Sequence, residues 1–155
     1  MMDSVYYEMP FCNLKLTQVN GSVCEIDYVE SIGTPQETSN SLLKQVLKQL
    51  EQYLSSPDFQ FDLPLNPQGT EFQRKVWASL QKIPGGQVRT YGEIAAELNS
   101  SPRAVGNACR RNPISLVIPC HRVVSAQGIG GFSGQTEGEK ISIKQQLLSH
   151  EGVEI

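Results

Sequence analysis

Long apolar segments are missing from the 155-residue sequence, and their absence excludes a membrane-spanning protein. Apolar stretches such as residues 116–118 end after a few positions, well short of the roughly 18 residues that a membrane span needs. The N-terminal residues MMDSVYYEMPF lack the basic start and apolar core of a secretory signal. We therefore expect a cytoplasmic protein.

Cysteine and histidine are scarce, which argues against disulfide and metal frameworks. The four cysteines, at positions 12, 24, 109 and 120, form no C-x-x-C pair, so reduced thiols are expected. His121 and His150 are the only histidines, which is a poor supply for a structural zinc site. Cys12 and Cys24 could in principle donate to a metal. The sequence nevertheless predicts no metal site.

Charge is modest overall but unevenly distributed. The net charge of −3 by itself argues against a nucleic-acid partner. Residues 1–65, however, hold 3 basic against 9 acidic side chains, whereas residues 66–155 hold 10 against 7. This asymmetry suggests an acidic scaffold lobe and a basic working lobe, the alternative being ordinary scatter of surface charge.

The first lobe, residues 1–65, has an α/β pattern. Residues 14–19 and 23–29 alternate in polarity around Asn20-Gly21, which predicts a β-hairpin with a tight turn. A helix should follow, because apolar residues recur at three- and four-residue spacing: Leu42, Leu43, Val46, Leu47, Leu50 and Leu54. The proline-rich stretch 62–69 is the best candidate for a boundary.

The second lobe, residues 66–155, is predicted to be mostly helical. Thr70, Thr90 and Ser101 stand where helix N-caps are expected, and a terminal helix should run from about 140 to 150. Two short helices joined by a tight turn outline a helix-turn-helix, and the glycine-rich residues 127–134 suit a wing. The second of these helices would carry three arginines, Arg103, Arg110 and Arg111. The fold class is therefore α+β, with a winged helix-turn-helix following a small α/β lobe.

Cys120 is the best candidate for a reactive residue. It comes directly after Pro119, which ends a run of β-branched residues that must be buried. It is followed by His121 and Arg122, both of which favour the thiolate form of a cysteine. The alternative is that Cys120 is one of the many cysteines that merely pack in a core. If His121 acts as a base it needs an acid to fix its tautomer. Glu151 in the terminal helix is a candidate, though one of seven carboxylates in this lobe.

A family resemblance covers the second lobe. The stretch RAVGNACRRNPISLVIPCHRVV, residues 103–124, closely resembles the signature of the O6-alkylguanine-DNA alkyltransferases, with Pro-Cys-His-Arg at its centre. The likeness extends over residues 69–152 and is weak in residues 1–65. It implies a protein that acts on double-stranded DNA containing O6-alkylguanine, and one-lesion chemistry gives no reason to expect more than a monomer. Such a protein everts the damaged nucleotide and transfers its alkyl group once to a cysteine, without metal or cofactor.

The resemblance also implies roles for individual residues. Cys120 would be the alkyl acceptor, His121 a base linked to it through water, and Glu151 the acid that orients the histidine. Asn112 would join the DNA-binding helix to the active-site segment, and Tyr91 would help to stabilise the departing guanine. From the residues alone, Asn112 is equally a plain helix terminus and Tyr91 a half-buried core tyrosine.

Further positions match residues that contact DNA or the lesion. Arg103 would enter the duplex in place of the everted base, and Val123 would offer its backbone carbonyl to the base edge. Phe132 and Ser133 would form a pocket wall and a lesion-contacting loop. From the residues alone, Arg103 would be interpreted as a solvated or phosphate-binding side chain, and Phe132 and Ser133 as part of a glycine-rich loop.

Some positions fit the family pattern less closely. Cys109 should face the pocket from the recognition helix, where relatives often carry another apolar residue, and Lys144 matches a lysine near the site. The wing departs from the usual Ser-Gly-Gly, since residues 133–135 read Ser-Gly-Gln and extra residues follow. Pro102 replaces a small residue before the recognition helix. Zinc occurs in some relatives but needs histidine ligands that this chain lacks.

Three other functions compete with alkyl transfer. A lesion sensor of the alkyltransferase-like type lacks the acceptor cysteine, so Cys120 argues against that class. A winged-helix regulator would use Cys120 only structurally and would bind DNA sequence-specifically. A cysteine hydrolase would use Cys120 and His121 with turnover on esters or amides.

Overall fold

The computed structural model describes residues 2–30, 32, 37–130 and 139–154. Within them the chain forms five strands, five α-helices and one 3₁₀ turn. The strands are β1 (Met2–Glu8), β2 (Asn13–Val19), β3 (Ser22–Val29), β4 (Arg89–Thr90) and β5 (Val123–Val124). The helices are α1 (Ser41–Ser55), α2 (Glu71–Leu80), α3 (Tyr91–Glu97), α4 (Pro102–Arg110) and α5 (Glu139–His150), and the 3₁₀ turn spans Cys120–Arg122.

The N-terminal part is a three-stranded antiparallel sheet with one helix against it. The predicted hairpin is confirmed: β2 pairs with β3 across a turn in which Asn20 (φ 51°) and Gly21 (φ 85°) both adopt positive φ. The sequence analysis missed β1, which pairs with β2 along its whole length. Helix α1 begins at the N-cap Asn40, whose side chain accepts the Leu43 amide. Of the predicted apolar stripe, Leu42, Leu43, Val46 and Leu50 are buried, whereas Leu47 and Leu54 are partly buried.

The C-terminal part begins with three helices whose starts are set by capping residues. Thr70 and Thr90 are the predicted N-caps and each forms a capping box, which was predicted at Thr90 only. The Ser101 hydroxyl accepts the Ala104 amide ahead of Pro102. Helices α3 and α4 pack against each other across the turn 98–101, as expected for a helix-turn-helix. The short parallel pairing of β4 with β5 is a second feature that the sequence analysis missed. Residues 131–134 of the predicted wing lie outside the described part of the chain.

One continuous apolar core joins the two halves of the chain. It includes sheet residues such as Leu16 and Ile26, Leu50 of α1, Trp77 of α2 and Ile118. Trp77 also fixes α2 to the next helices, because its indole Nε1–H donates to the carbonyl of Ala108 in α4 at 2.9 Å. The sheet and the helix-turn-helix therefore pack as one body around the segment that leads to Cys120. Within the described residues, no helix is both long enough and apolar enough to cross a membrane.

Candidate active site

The segment 113–119 leads to Cys120 and is tied to the sheet by backbone hydrogen bonds. On the sheet side, the Ile26 amide donates to the Pro113 carbonyl (2.9 Å) and the Ser115 amide donates to the Ile26 carbonyl (3.0 Å). Its residues 114–118 are buried, as the β-branched run predicted. Leu116 adopts φ 72°, a conformation that costs a branched side chain energy and so needs support from its surroundings.

Asn112 connects this segment to α4, the second helix of the helix-turn-helix and the one predicted to be its recognition helix. It lies two residues beyond α4, and its side-chain amide donates to the Ile118 carbonyl (2.8 Å) while its oxygen accepts the Ile114 amide (2.9 Å). These bonds bridge the two ends of the loop that precedes Cys120. A hydrogen bond from Asn112 also acts on the Cys120 sulfur and favours its thiolate form. The position of Cys120 relative to α4 is therefore set by one side chain.

Cys120 is buried, and the thiol is its resting form. Its exposure is 5%, and burial raises the pKa of the thiol despite the opposing effects of Asn112 and of the nearby Lys144 ammonium. The sequence analysis expected Arg122 to favour a thiolate, but the guanidinium is turned away and occupied elsewhere. Cys120 therefore needs a base to take its proton when it reacts.

His121, the next residue, is the candidate for that base. Its Nε2 lies 2.8 Å from Oε2 of Glu151, and both side chains are fully buried. Because burial lowers the pKa of His121 while Glu151 partly offsets this effect, the ring is neutral. An ionised carboxylate accepts only, so the single ring proton lies on Nε2 and Nδ1 carries a lone pair. Nδ1 has no hydrogen-bond partner within the described part of the protein.

Glu151 stays ionised although it is buried. Burial alone would raise the pKa of its carboxyl, but hydrogen bonds from His121 and Arg122, together with the charge of Arg122, outweigh burial and lower the pKa to about 2. Arg122 donates two hydrogen bonds to the carboxylate, from Nε to Oε1 (2.9 Å) and from one Nη to Oε2 (3.0 Å). Its other Nη donates to the Ile83 carbonyl (2.6 Å). This bidentate pair explains how a charge can remain inside the core.

A second group of side chains lies on the α4 and α5 side of Cys120. Lys144 of α5 is completely buried, and its Nζ donates to the Val123 carbonyl at 2.7 Å and lies 5.9 Å from the Tyr91 ring centre. Burial lowers the pKa of Lys144 to about 8. Burial likewise raises the pKa of Tyr91 and of Cys109, so both keep their protons at neutral pH.

Arginines line the exposed face of the recognition helix. Arg103 in the first turn of α4, Arg110 at its end and Arg111 just beyond are all exposed to solvent. Arg110 and Arg111 line a cavity together with Thr70, Phe72 and Gln73 at the start of α2. Of the other sequence-predicted site residues, Phe132 and Ser133 lie outside the described part of the chain.

The structure adds one site residue that the sequence analysis did not identify. The Tyr53 hydroxyl of α1 donates to Oε2 of Glu151 at 2.6 Å. Tyr53 lies in the first lobe, where the family resemblance is weak, and its position in the helix is that of a core residue, so no local signal singled it out. Among the described residues no cluster of three or more histidine, cysteine or acidic side chains is arranged to hold a metal.

Comparison with known proteins places this site in a family. A family described as 6-O-methylguanine DNA methyltransferase, DNA binding domain, matches residues 71–153. The methylated-DNA–protein-cysteine methyltransferase of Methanosarcina acetivorans is 43% identical over 116 residues, which cover 74% of this chain and 72% of that protein.

Solved structures agree over nearly the whole chain. The O6-methylguanine methyltransferase of Mycobacterium tuberculosis superposes with a TM-score of 0.82 at 32% identity, covering 97% of this chain and 93% of that one. A structure of Mycobacterium tuberculosis OGT in complex with DNA gives 0.80 at 32% identity, with coverage of 96% and 91%. The present chain therefore belongs to the O6-methylguanine-DNA methyltransferase family.

Proposed function

We propose that this protein repairs DNA by transferring the alkyl group of O6-alkylguanine to the sulfur of Cys120, once per molecule. The observation that carries this proposal is the buried Cys120 beside a neutral His121 whose Nε2 is paired with Glu151, which leaves Nδ1 as a proton acceptor. The related Mycobacterium tuberculosis protein is described in complex with DNA. Together these findings favour DNA repair over a regulator or a hydrolase.

The reaction begins with loss of the Cys120 proton to Nδ1 of His121, through a water molecule, as the family resemblance implies. The resulting imidazolium is stabilised by the Glu151 carboxylate, which is already ionised and oriented. The thiolate then attacks the alkyl carbon in line. A sulfur–carbon bond forms, the bond between that carbon and O6 breaks, and its electron pair leaves with the guanine.

Tyr91 and Val123 are our candidates for contacts with the departing base. Tyr91 keeps its proton because burial raises its pKa, so its hydroxyl can act as a hydrogen-bond donor to the leaving guanine. The Val123 carbonyl already accepts from Lys144 but has a second lone pair for a base edge. The product is a thioether, which has no carbonyl that water could attack, so the protein is consumed in one turnover.

The DNA is expected to bind along α4. The exposed arginines of this helix supply the charge that attracts phosphates, and Arg103 in its first turn is our candidate for the side chain that replaces an everted nucleotide. Eversion costs a few kcal/mol, and the inserted side chain offsets part of that cost by refilling the stack. The segment between Asn112 and Cys120 then links the bound helix to the nucleophile.

We further propose that the protein acts as a monomer in the reducing environment of the cytoplasm, where Cys120 stays a free thiol. Residues 1–65 would form a scaffold lobe, and residues 66–155 would carry the chemistry and the DNA contacts. A one-lesion reaction that needs a single cysteine gives no reason for a second subunit.

Mass spectrometry tests the proposed reaction directly. The protein is incubated with a duplex that carries one O6-methylguanine, and the masses of the intact chain and of its peptides are measured. We expect a gain of one methyl group, confined to the peptide that contains Cys120 and saturating at one per molecule. An unchanged mass with retained lesion binding would instead indicate a sensor or regulator, and turnover on an ester would indicate a hydrolase.

Lys144 provides a second test of how the thiol is activated. The Lys144→Met variant removes the cation that favours the thiolate of Cys120, so we expect transfer about tenfold slower at pH 7, equivalent to about one pKa unit. Because Lys144 loses its proton near pH 8, the ratio of wild-type to variant rate should be largest below pH 8 and should shrink above it. Single-turnover rates measured between pH 6 and about pH 9 check this trend; a ratio that does not change with pH contradicts it.

A further inference from the structure

The first lobe contributes a side chain to the hydrogen-bond chain that ends at His121, the residue next to Cys120. Tyr53 lies on the last turn of α1 and is fully buried, and its hydroxyl donates to Oε2 of Glu151 at 2.6 Å. The same oxygen accepts from Nε2 of His121 at 2.8 Å. The two donors are separated by about half the chain in sequence and meet on one atom. Tyr53 is therefore one residue removed from the base itself.

The ring of Tyr53 is held in place by its neighbours. His150, next to Glu151 in sequence, lies 5.0 Å from the Tyr53 ring centre, and its Nε2–H donates to the Tyr53 carbonyl at 3.0 Å. Phe61 lies 5.7 Å from the same ring, and Phe11 packs on His150. The end of α1 is thereby attached to the end of α5 by both backbone and ring contacts. These contacts fix the orientation of the Tyr53 side chain and therefore the direction in which its hydroxyl donates.

The arrangement determines how the carboxylate faces His121. Arg122 donates to both carboxylate oxygens of Glu151. Without Tyr53, Oε2 would accept hydrogen bonds from Arg122 and His121 alone. The Tyr53 hydroxyl adds a donor from the opposite element, so Oε2 is approached from three sides. Burial together with the Glu151 charge raises the pKa of Tyr53, so this hydroxyl remains a donor over the whole working range of pH.

We propose that Tyr53 is a positioning residue for alkyl transfer, acting through Glu151 to keep the imidazole of His121 aligned with Cys120. This inference rests on the proposed function. It assigns residues 1–65 a part in the chemistry in addition to their packing. It also explains why α1 ends against the terminal helix instead of merely covering the sheet.

The Tyr53→Phe variant tests the proposal, because it keeps the ring contacts with Phe61 and His150 and removes only the hydroxyl. Tyr7→Phe is the matched control: Tyr7 lies in β1 of the same lobe and packs on the core away from Glu151. For each protein, single-turnover kinetics with excess O6-methylguanine duplex give a saturating transfer rate and a half-saturating DNA concentration. Thermal melting is recorded in parallel.

We expect the saturating rate of Tyr53→Phe to fall by about tenfold or more, the size of effect typical for outer partners of functional histidines. The half-saturating DNA concentration should stay within about twofold of wild type, since Tyr53 does not face α4. Tyr7→Phe should match wild type in both quantities.

A saturating rate within twofold of wild type would overturn the positioning role. So would a parallel loss of rate, DNA affinity and melting temperature, because that pattern marks a purely structural residue. Failure of the wild-type protein to take up a methyl group would instead contradict the proposed function. In that case the rate at which iodoacetamide modifies Cys120 in the two variants still decides whether Tyr53 acts on the thiol: a slower rate in Tyr53→Phe alone supports the role, and equal rates overturn it.

Discussion

Replacement of Glu151 by glutamine is expected to be the most damaging single change to the fold. The carboxylate receives hydrogen bonds from Tyr53, His121 and Arg122, and its side chain is fully buried. The neutral amide leaves the Arg122 guanidinium buried without its counter-charge. Breaking one partner of such a pair costs about 3–5 kcal/mol, which is a large fraction of the stability of a domain of this size.

The pH dependence of this loss follows from the pKa of Glu151. That pKa is about 2 in the folded protein and close to 4.5 in the unfolded chain, so the unfolded state binds the proton more readily. The stabilisation by the carboxylate is therefore complete above about pH 4.5 and is lost as the pH falls towards 2. At about 1.4 kcal/mol for each pKa unit, the shift corresponds to roughly 3 kcal/mol.

Urea unfolding of wild type and Glu151→Gln at neutral pH and near pH 3 measures this difference. We expect a gap of about 3 kcal/mol at pH 7 that narrows in acid. Glu71→Gln is a suitable control, because Glu71 is 82% exposed in a surface pair with Lys75 and its loss should cost less than about 1 kcal/mol. An equal stability of Glu151→Gln and wild type at pH 7 would contradict the ionised, buried state assigned to this carboxylate.

The same substitution should slow alkyl transfer on the order of a thousandfold. A glutamine can present its NH₂ to Nε2 of His121, which moves the ring proton to Nδ1 and removes the lone pair that accepts the Cys120 proton. Measured at a temperature where the variant stays folded, this loss separates the catalytic effect from the stability effect.

Replacement of Cys120 by alanine is expected to abolish alkyl transfer completely while leaving DNA binding intact. The sulfur is the only atom of the site that forms a covalent bond in the proposed reaction, so no other group can substitute for it. The residue is small and 5% exposed, and its backbone is fixed by the Arg122–Pro119 and Cys120–Ile118 hydrogen bonds, so the fold should persist. The variant should therefore hold the lesion without repairing it.

Intact-mass measurement and a binding assay with O6-methylguanine duplex check both halves of this expectation. Cys24→Ala is the matched control: this half-buried cysteine of β3 donates to the Thr17 carbonyl, so the variant should keep full transfer. A methyl group found on Cys120→Ala, at Cys109 or elsewhere, would show that Cys120 is not the acceptor.

Local sequence signals predicted most of the secondary structure. The Asn20-Gly21 turn, the apolar stripe of α1 and the caps at Thr70, Thr90 and Ser101 depend on neighbours a few residues away, and the structure confirms each of them. Strand β1 was missed because its connection to β2, residues 9–12, carries no Asn-Gly turn signal of the kind that marks the β2–β3 hairpin. The division of the chain near residue 65 stays a prediction.

The sequence by itself determined which residues could react: a cysteine after a buried run, a histidine beside it and a family signature around both. Only the tertiary structure decided how they are charged and connected. Arg122 binds Glu151 instead of favouring the thiolate, and Tyr53 reaches the same carboxylate from 98 residues away. The reason is physical: pKa values and hydrogen-bond partners depend on burial and on distances in space, which residues far apart in the chain set together.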